Sequence, residues 1–345
     1  MTTALLRSNL HQQHDEPRHV EQAARLVAIE RAIDAAGLNG QLVEITPRPA
    51  REAQIRAVHG ARMIETLQYI SYEGEAWLDS DTYVMLGSWD AAAMGAGAAI
   101  DAIDAVCSKQ VDNAFALVRP PGHHATPSQS MGFCLLNNVA IAARYAITQL
   151  GLERVAIVDY DVHHGNGTQD CFYADSQVLY CSSHAAPLYP GTGDMRETGL
   201  GAGAGTTLNM PLPYGTGDQG FEQVYGEAII PALRRFKPQL LLVSAGFDAH
   251  WDDPLGPLAL TVAGYAALTH TLKEAAAELC DGRIALVLEG GYSLRALSAC
   301  TTAALRVLLG AQAQPDPLGE APNAEPNITR LVEAIKHAHP LLGGA

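Results

Sequence analysis

The stretch RVAIVDYDVHHGN, residues 154–166, constrains the fold of this chain more than any other. It begins with a short, mostly apolar and partly β-branched run, which is typical of a strand buried on both faces in a parallel sheet. Asp159, Asp161 and His163 then alternate, so an extended backbone projects them to one side. Burying them together is costly without a cation. The stretch therefore favours a divalent metal site, although such residues are also common as turn formers and helix caps.

Strand-like and helix-like patterns alternate along the 345 residues, which predicts a three-layer α/β fold with a parallel sheet. Further strands are predicted at residues 41–45, 114–118, 178–182, 206–210, 240–244 and 284–288. Helices are predicted at residues 21–36, 50–65, 88–106, 139–149, 221–236, 261–279 and 294–309. We expect a single domain over 1–345, with a connector at 311–327 and a final helix at 328–338 packed on it.

Composition excludes several function classes. The net charge of −15 argues against direct binding of nucleic acid or anionic lipid. No apolar run approaches the roughly 20 residues of a membrane span, and residues 1–19 lack the apolar core of a signal peptide. The six cysteines include no C-x-x-C pair, which is typical of reduced thiols. We therefore expect a cytoplasmic protein.

Polar residues follow several of the predicted strands, and ligand sites of open α/β sheets lie outside these carboxyl ends. Asp161, His163 and Asp248 would give a metal three protein ligands and leave one position open, which is the catalytic arrangement of zinc. Iron or cobalt would also suit these ligands. The residues at 123–124 are a histidine pair suited to general base catalysis, and Tyr292 follows a Gly-Gly turn and could donate to an oxyanion. The set predicts metal-assisted hydrolysis of an amide.

Five segments resemble, in order and spacing, the zinc-dependent histone deacetylase family, which includes acetylpolyamine amidohydrolases and many bacterial deacetylase-like enzymes. The segments are RPPGHHA (119–125), MGFCLLNN (131–138), VDYDVHHGNGT (158–168), SAGFDAHWDDPLG (244–256) and LEGGYS (288–293). The resemblance is to class II-like, bacterial-type members. It implies an arginase-like α/β fold with a mainly parallel eight-stranded sheet.

The resemblance also implies a role for each catalytic residue. His124 matches the general base and acid, and His123 matches the electrostatic partner that stays protonated against the buried carboxylate of Asp159. Tyr292 matches the residue that polarises the substrate carbonyl. The zinc ligands match Asp161, His163 and Asp248.

Further positions match a substrate tunnel and a structural potassium ion. Phe133 and Tyr189 match the aromatic walls of an acyl-lysine tunnel, with Gly132 at its floor. The potassium site is matched by Ser182 and by the carbonyls of Asp159, Asp161 and His163.

The chain departs from the family pattern in three places. Asn166 stands where class I enzymes carry an aspartate behind the second histidine, which should leave His124 less basic. Tyr189 replaces the more usual phenylalanine. The segment EPRHVEQAARL (16–26) matches the family only loosely.

The resemblance favours an acylated lysine peptide as the substrate, with an acylated polyamine or other small amine as the alternative. Polyamine-selective members place an acidic residue where this chain has Leu255, although the negative net charge points weakly the other way. A binuclear manganese ureohydrolase is disfavoured because Gly165 and His250 occupy positions of bridging aspartates. A ligand-binding pseudoenzyme is disfavoured because every catalytic position is filled. A homo-oligomer is compatible with this family.

Several residues near these motifs are predicted to have no catalytic role. His164 should point away from His163, and Cys134 should be a core thiol. His14 or His19 could line the mouth of the site. Surface positions are predicted for His337 and His339. The glycine-rich run 199–205 is a weak candidate for nucleotide binding, because it follows a loop instead of a strand.

Overall fold

The computed structural model of the protein describes residues 1–312 and 314–343. The strands of the described part run in chain order from β1 to β10. They are β1 Thr3–Leu6, β2 Leu42–Ile45, β3 Ala76–Trp77, β4 Tyr83–Val84, β5 Asn113–Ala116, β6 Val155–Asp159, β7 Val178–Ala185, β8 Thr207–Leu212, β9 Leu240–Ala245 and β10 Ile284–Leu288. The strands β3 and β4 pair as a small antiparallel hairpin apart from the main sheet.

The main sheet has eight strands in the order β2-β1-β5-β10-β9-β6-β7-β8, and all neighbouring strands are parallel. This confirms the predicted α/β fold. Strands β6, β9 and β10 are buried along their whole length, as their continuous apolar sequences predict. The sequence analysis did not predict β1.

Helices cover both faces of the sheet. Helices α1, α9 and α10 pack together, and α4 packs on α5. Their bounds are α1 Ala24–Ala35, α2 Glu52–Arg56, α3 Ala61–Glu73, α4 Ser88–Cys107, α5 Asn138–Thr148, α6 Asn166–Phe172, α7 Asp218–Val224, α8 Ile230–Phe236, α9 Val262–Leu279, α10 Leu294–Leu309 and α11 Thr329–Ala338.

Two predicted helices are interrupted. The helix predicted at 50–65 is split, because His59 and Gly60 bind backbone groups of the loop at 126–137 instead of continuing α2. The helix predicted at 221–236 contains a π-helical turn at Tyr225–Ile229 between α7 and α8. Pro231 has no N–H to donate to the preceding turn, which accounts for the local change of helical register.

The carboxyl-terminal connector and α11 contact the rest of the described chain. The carboxylate of Glu325 accepts from the backbone N–H groups of Gly217 and Gly220 at 2.9 Å each, at the start of α7. The predicted surface position of His339 is wrong: its side chain is buried and its Nε2 lies 2.7 Å from the carbonyl of Thr207. His337 is exposed, as predicted.

Candidate active site

The polar residues predicted to form a site follow four strands that are consecutive in the sheet. The order β5-β10-β9-β6 brings together the segments after these strands, which hold the histidine pair, Tyr292, Asp248 and the Asp161 segment. Because the strands are parallel, all four segments leave the sheet at the same edge. The site is thus a direct consequence of strand order.

Asp161, His163 and Asp248 form a compact group whose ligand atoms lie within 4.8 Å of one another. Nδ1 of His163 lies 3.1 Å from Oδ1 of Asp161 and 3.4 Å from Oδ2 of Asp248. Oδ2 of Asp248 is buried and accepts no hydrogen bond from the described residues. A buried carboxylate oxygen without a donor is costly, and two carboxylates with an imidazole are a ligand set for a divalent metal. The group therefore fits such an ion.

The protonation of this group, in the absence of an ion, shows the same need for positive charge. Burial alone would lower the pKa of His163, but the carboxylates of Asp161 and Asp248 raise it to about 10. Burial and the neighbouring charge of Asp161 raise the pKa of Asp248. A proton on His163 thus compensates the two carboxylates, and a divalent cation at Nδ1 would take its place.

The imidazole of His123 is hydrogen-bonded to a carboxylate. Its Nδ1 is 3.0 Å from Oδ2 of Asp159, which also accepts from the hydroxyl of Tyr180 at 3.0 Å. Burial would lower the pKa of His123, but Asp161 and Asp159 raise it well above its ordinary value. Its imidazole is held as a cation.

The imidazole of His124 is hydrogen-bonded to a side-chain amide. Its Nδ1 is 2.8 Å from Oδ1 of Asn166, whose Nδ2 faces the sulfur of Met131. The amide oxygen only accepts, so Nδ1 of His124 carries the proton and Nε2 has the free lone pair. Burial and the nearby rings of His123 and His163 lower the pKa of His124 well below its ordinary value.

The turn that carries Tyr292 approaches the metal group through glycine. A Cβ placed on Gly290 would lie 2.0 Å from Oδ2 of Asp248, so only glycine fits there. The guanidinium of the buried Arg25 donates to the carbonyls of Glu289 at 2.6 Å and Gly291 at 2.7 Å. Burial raises the pKa of Tyr292 well above its ordinary value, which keeps its hydroxyl a proton donor.

The predicted wall residues surround this group. The ring of Phe133 meets that of Tyr292 edge to face at 5.6 Å, and the ring of Tyr189 meets that of His124 at 5.1 Å. Phe133 has a φ of 67°, a strained value for a residue with a side chain. At Gly132, a Cβ would lie 2.6 Å from the ring of His124, which explains the glycine there.

Two predicted positions lie beside the centre. Oγ of Ser182 is 2.9 Å from Nδ1 of His184, and the hydroxyl of the next residue, Ser183, donates to the carbonyl of Asp159 at 3.4 Å. Leu255 is half-buried, and its N–H donates to the carboxylate of Asp253 at 3.0 Å.

The sequence analysis missed an aromatic cluster outside Phe133. His19 meets the ring of Phe133 at 4.7 Å and also contacts Trp77, which is 55% exposed on the β3–β4 hairpin. The other candidate, His14, is buried and stacks on Tyr83 at 4.2 Å. The sequence analysis named His19 as a candidate for the mouth of the site, but it gave no signal for Trp77 beside it.

The same analysis missed a buried ion cluster below the Tyr292 turn. The guanidinium of Arg119 binds both carboxylate oxygens of Glu21, at 2.6 and 2.7 Å, and Arg25 binds one of them at 3.0 Å. The helical pattern of residues 21–36 predicted α1, but such a pattern does not show which charged residues in that range face inward.

His164 takes no part in this centre. Its Nδ1 lies 2.7 Å from Oγ1 of Thr192 and its Nε2 lies 3.0 Å from Oε1 of Gln169, on the side away from His163. Cys134 is buried, and burial raises the pKa of its thiol well above its ordinary value. Both residues have the structural surroundings that the sequence analysis predicted.

With this geometry established, known proteins provide an independent comparison. The family model of the histone deacetylase domain matches residues 19–308 of this chain. A probable deacetylase of Archaeoglobus fulgidus is 43% identical over 297 residues, covering 85% of this chain and 82% of the relative. This chain belongs to the histone deacetylase family. A histone deacetylase-like amidohydrolase of Pseudomonas aeruginosa is 38% identical, covering 87% of this chain and 80% of that protein.

A solved structure extends the family likeness to the fold. The crystal structure of the HDA15 HD domain has a TM-score of 0.88 and 36% identity to this chain, covering 98% of this chain and 94% of that one. The chain therefore has the arginase/deacetylase-like fold. As a family member it is an amide-hydrolysing enzyme of the deacetylase type. Among the described residues no helix is both long and apolar enough to cross a membrane.

Proposed function

We propose that this histone deacetylase family member uses zinc to remove acetyl, or a related acyl group, from the side-chain amine of lysine. The observation that carries the proposal is the compact group of Asp161, His163 and Asp248 beside a histidine pair with unlike partners. An acetylpolyamine amidohydrolase is the second candidate, because it needs the same centre. The two differ only in what lies beyond the acyl group.

Asp161, His163 and Asp248 would hold the zinc, with iron or cobalt as other candidates. The ion would polarise the substrate carbonyl and lower the pKa of water bound to it. The hydroxyl of Tyr292 donates to the carbonyl oxygen as negative charge develops there. Three side chains thus hold the ion, and one hydroxyl serves the oxyanion.

The histidine pair divides the proton transfers. Nε2 of His124 accepts the proton of the attacking water, because Nδ1 is committed to Asn166. The same nitrogen then protonates the leaving amine. The cationic His123, held by Asp159, keeps His124 neutral before the reaction and stabilises the oxyanion. The leaving group departs as a neutral amine without a second acid.

The preference for lysine rests on the tunnel residues. Phe133 and Tyr189 would flank a straight alkyl chain, above Gly132. Leu255 is apolar where a polyamine would favour a carboxylate near its second ammonium.

The same proposal includes a structural potassium ion, which Ser182 and the carbonyls of Asp159, Asp161 and His163 would bind. It also includes a cytoplasmic location and self-association. A rice relative, 40% identical to this chain, is named a chloroplastic histone deacetylase.

A substrate panel tests the proposal. The purified protein, loaded separately with zinc, iron or cobalt, is assayed on acetyl-lysine peptides, acetylputrescine and acetylspermidine. We expect the highest kcat/KM on an acyl-lysine peptide with a divalent metal present. Asp248→Ala removes one proposed ligand and tests the ligand set. It should lose activity and also bound zinc, which elemental analysis measures. A higher kcat/KM on acetylpolyamines would favour the second candidate, and full zinc occupancy in Asp248→Ala would reject the ligand set.

A further inference from the structure

A buried carboxylate with no role in the proposed reaction lies against the Tyr292 turn. Oδ2 of Asp253 accepts from the backbone N–H of Tyr292 at 2.6 Å and from that of Ser293 at 2.9 Å. Its Oδ1 accepts from the N–H of Leu255 at 3.0 Å, and the residue is only 7% exposed. One carboxylate therefore binds three backbone groups of two different loops.

The turn is held from both sides by two buried side chains, one guanidinium and one carboxyl group. Arg25 binds the carbonyls of Glu289 and Gly291, which precede Tyr292, while Asp253 binds the N–H groups of Tyr292 and Ser293. The bonds from the Arg25 guanidinium are charge-assisted, and such bonds are about twice as strong as neutral ones. The backbone of Tyr292 is thus fixed on both sides of its Cα.

Helix capping does not account for this carboxylate. Ser293 is the N-cap of α10, and its own hydroxyl accepts from the N–H of Ala296. The bond that capping leaves unexplained is the 2.6 Å bond from the N–H of Tyr292 to Asp253. Burying a carboxylate is costly, and here it is directed at the residue that carries the proposed oxyanion donor.

We propose that Asp253 is a positioning residue, which fixes the hydroxyl of Tyr292 where the substrate oxygen becomes negative. It acts through the backbone and touches no reacting atom. The same carboxylate also holds the backbone N–H of Leu255. This inference rests on the proposed role of Tyr292.

The neighbouring residue supplies a matched control. Asp252 also faces α10, but it accepts from the hydroxyl of Ser293 at 2.7 Å and from Nε of Arg295 at 2.6 Å. It makes no hydrogen bond to the backbone of Tyr292 among the described residues. Asp252→Asn therefore removes a neighbouring acidic charge while leaving the Tyr292 amide bonded to Asp253.

Steady-state kinetics on an acetyl-lysine peptide give the first test. A displacement of about 1 Å at a reacting group can cost about 10²-fold in rate. We expect Asp253→Asn to lower kcat by about 10- to 100-fold with little change in KM. Asp252→Asn should leave both constants nearly unchanged, and Asp253→Glu, which keeps the charge but moves it by one methylene, should lie between. Equal losses in the two asparagine variants would overturn the proposal.

A double-mutant cycle then asks whether Asp253 acts through Tyr292. In a Tyr292→Phe background, Asp253→Asn should cost only a small fraction of its effect in the wild type, because the hydroxyl it positions is already gone. A full additive loss would mean that Asp253 supports the site by another route, and the positioning role would be wrong.

Hydrogen exchange gives a readout that does not depend on the substrate. The amides of Tyr292 and Ser293 should exchange about ten- to a hundredfold faster in Asp253→Asn, and not in Asp252→Asn. Unchanged exchange at Tyr292 in a folded Asp253→Asn protein would refute the proposal. If the wild type instead hydrolyses none of the acyl amines while this exchange pattern holds, the proposed function fails and the backbone contact stands.

Discussion

The two histidines of the site differ in protonation although they share a turn. The rings of His123 and His124 lie 4.0 Å apart, and each residue is 3% exposed. Burial therefore cannot be the difference between them. His123 has Asp159 as its partner and a raised pKa, whereas His124 has Asn166 and a lowered one. The carboxylates beside His123, which are Asp161 and its partner Asp159, assign the cationic role to that residue and leave the basic role to His124.

The charge of one histidine also affects the pKa of the other. The positive charge on His123 is one of the causes that lower the pKa of its neighbour, after burial. A cation 4.0 Å away is a strong influence in a buried site. A base that stays neutral in mildly acidic solution can accept a proton over a wider pH range.

Removing the proposed base should have the largest effect. General base catalysis contributes about 10²- to 10⁴-fold, so we expect His124→Ala to lower kcat by that order while zinc binding survives. His164→Ala is the control, since its ring binds Thr192 and Gln169 away from the centre. Kinetics are corrected for the folded fraction of each variant. Similar losses in both variants would contradict the assignment of His124.

The second prediction separates the proton donor from the base. Tyr292→Phe should lower kcat by about 10²- to 10³-fold, as for other oxyanion donors. The raised pKa of Tyr292 keeps its proton in place, so the acidic limb of the kcat/KM profile should not move. A loss under about tenfold would show that another group is the principal donor.

The proposed metal ligands and the histidine partners differ in how far the sequence alone could predict them. Alternating polar residues after a buried strand predicted that Asp161 and His163 lie together, because both follow the end of β6 within four residues. The partner of each histidine was supplied by the family resemblance instead, since Asp159 and Asn166 are 36 and 42 residues away. His19 was named as a candidate for the mouth, but its contact with Trp77 was missed, because that contact depends on how a loop and a hairpin meet.

His339 and Asp253 give the same lesson. His339 was predicted to lie at the surface, yet its side chain is buried and its Nε2 lies 2.7 Å from the carbonyl oxygen of Thr207. The sequence analysis assigned no role to Asp253, which binds the Tyr292 amide 39 residues away. Local patterns predicted most of the elements, whereas long-range polar contacts follow from packing.

A third prediction makes the two histidine partners alike. Asp159→Asn should lower the pKa of His123, because burial would then act against fewer carboxylates. With less positive charge beside it, His124 should titrate at a higher pH. We expect kcat to fall by about 10- to 100-fold, a typical cost for a supporting partner, and the acidic limb to rise. Tyr180→Phe, which removes another hydrogen bond to the same carboxylate, is the control and should leave that limb in place.

The smallest effect is expected from changing the other partner. Asn166→Asp would place a carboxylate 2.8 Å from Nδ1 of His124, where the amide oxygen now lies. An adjacent opposite charge favours the protonated ring and raises its pKa by about one to three units. Since the base must be neutral to act, activity should be lost on the acidic side first, and the acidic limb of kcat/KM should move to higher pH. Well above that limb the base is neutral in both proteins, so the two rates should differ little. The kcat/KM profile of both proteins on one acetyl-lysine peptide measures this, and an unmoved limb would mean that Asn166 does not control the basicity of His124.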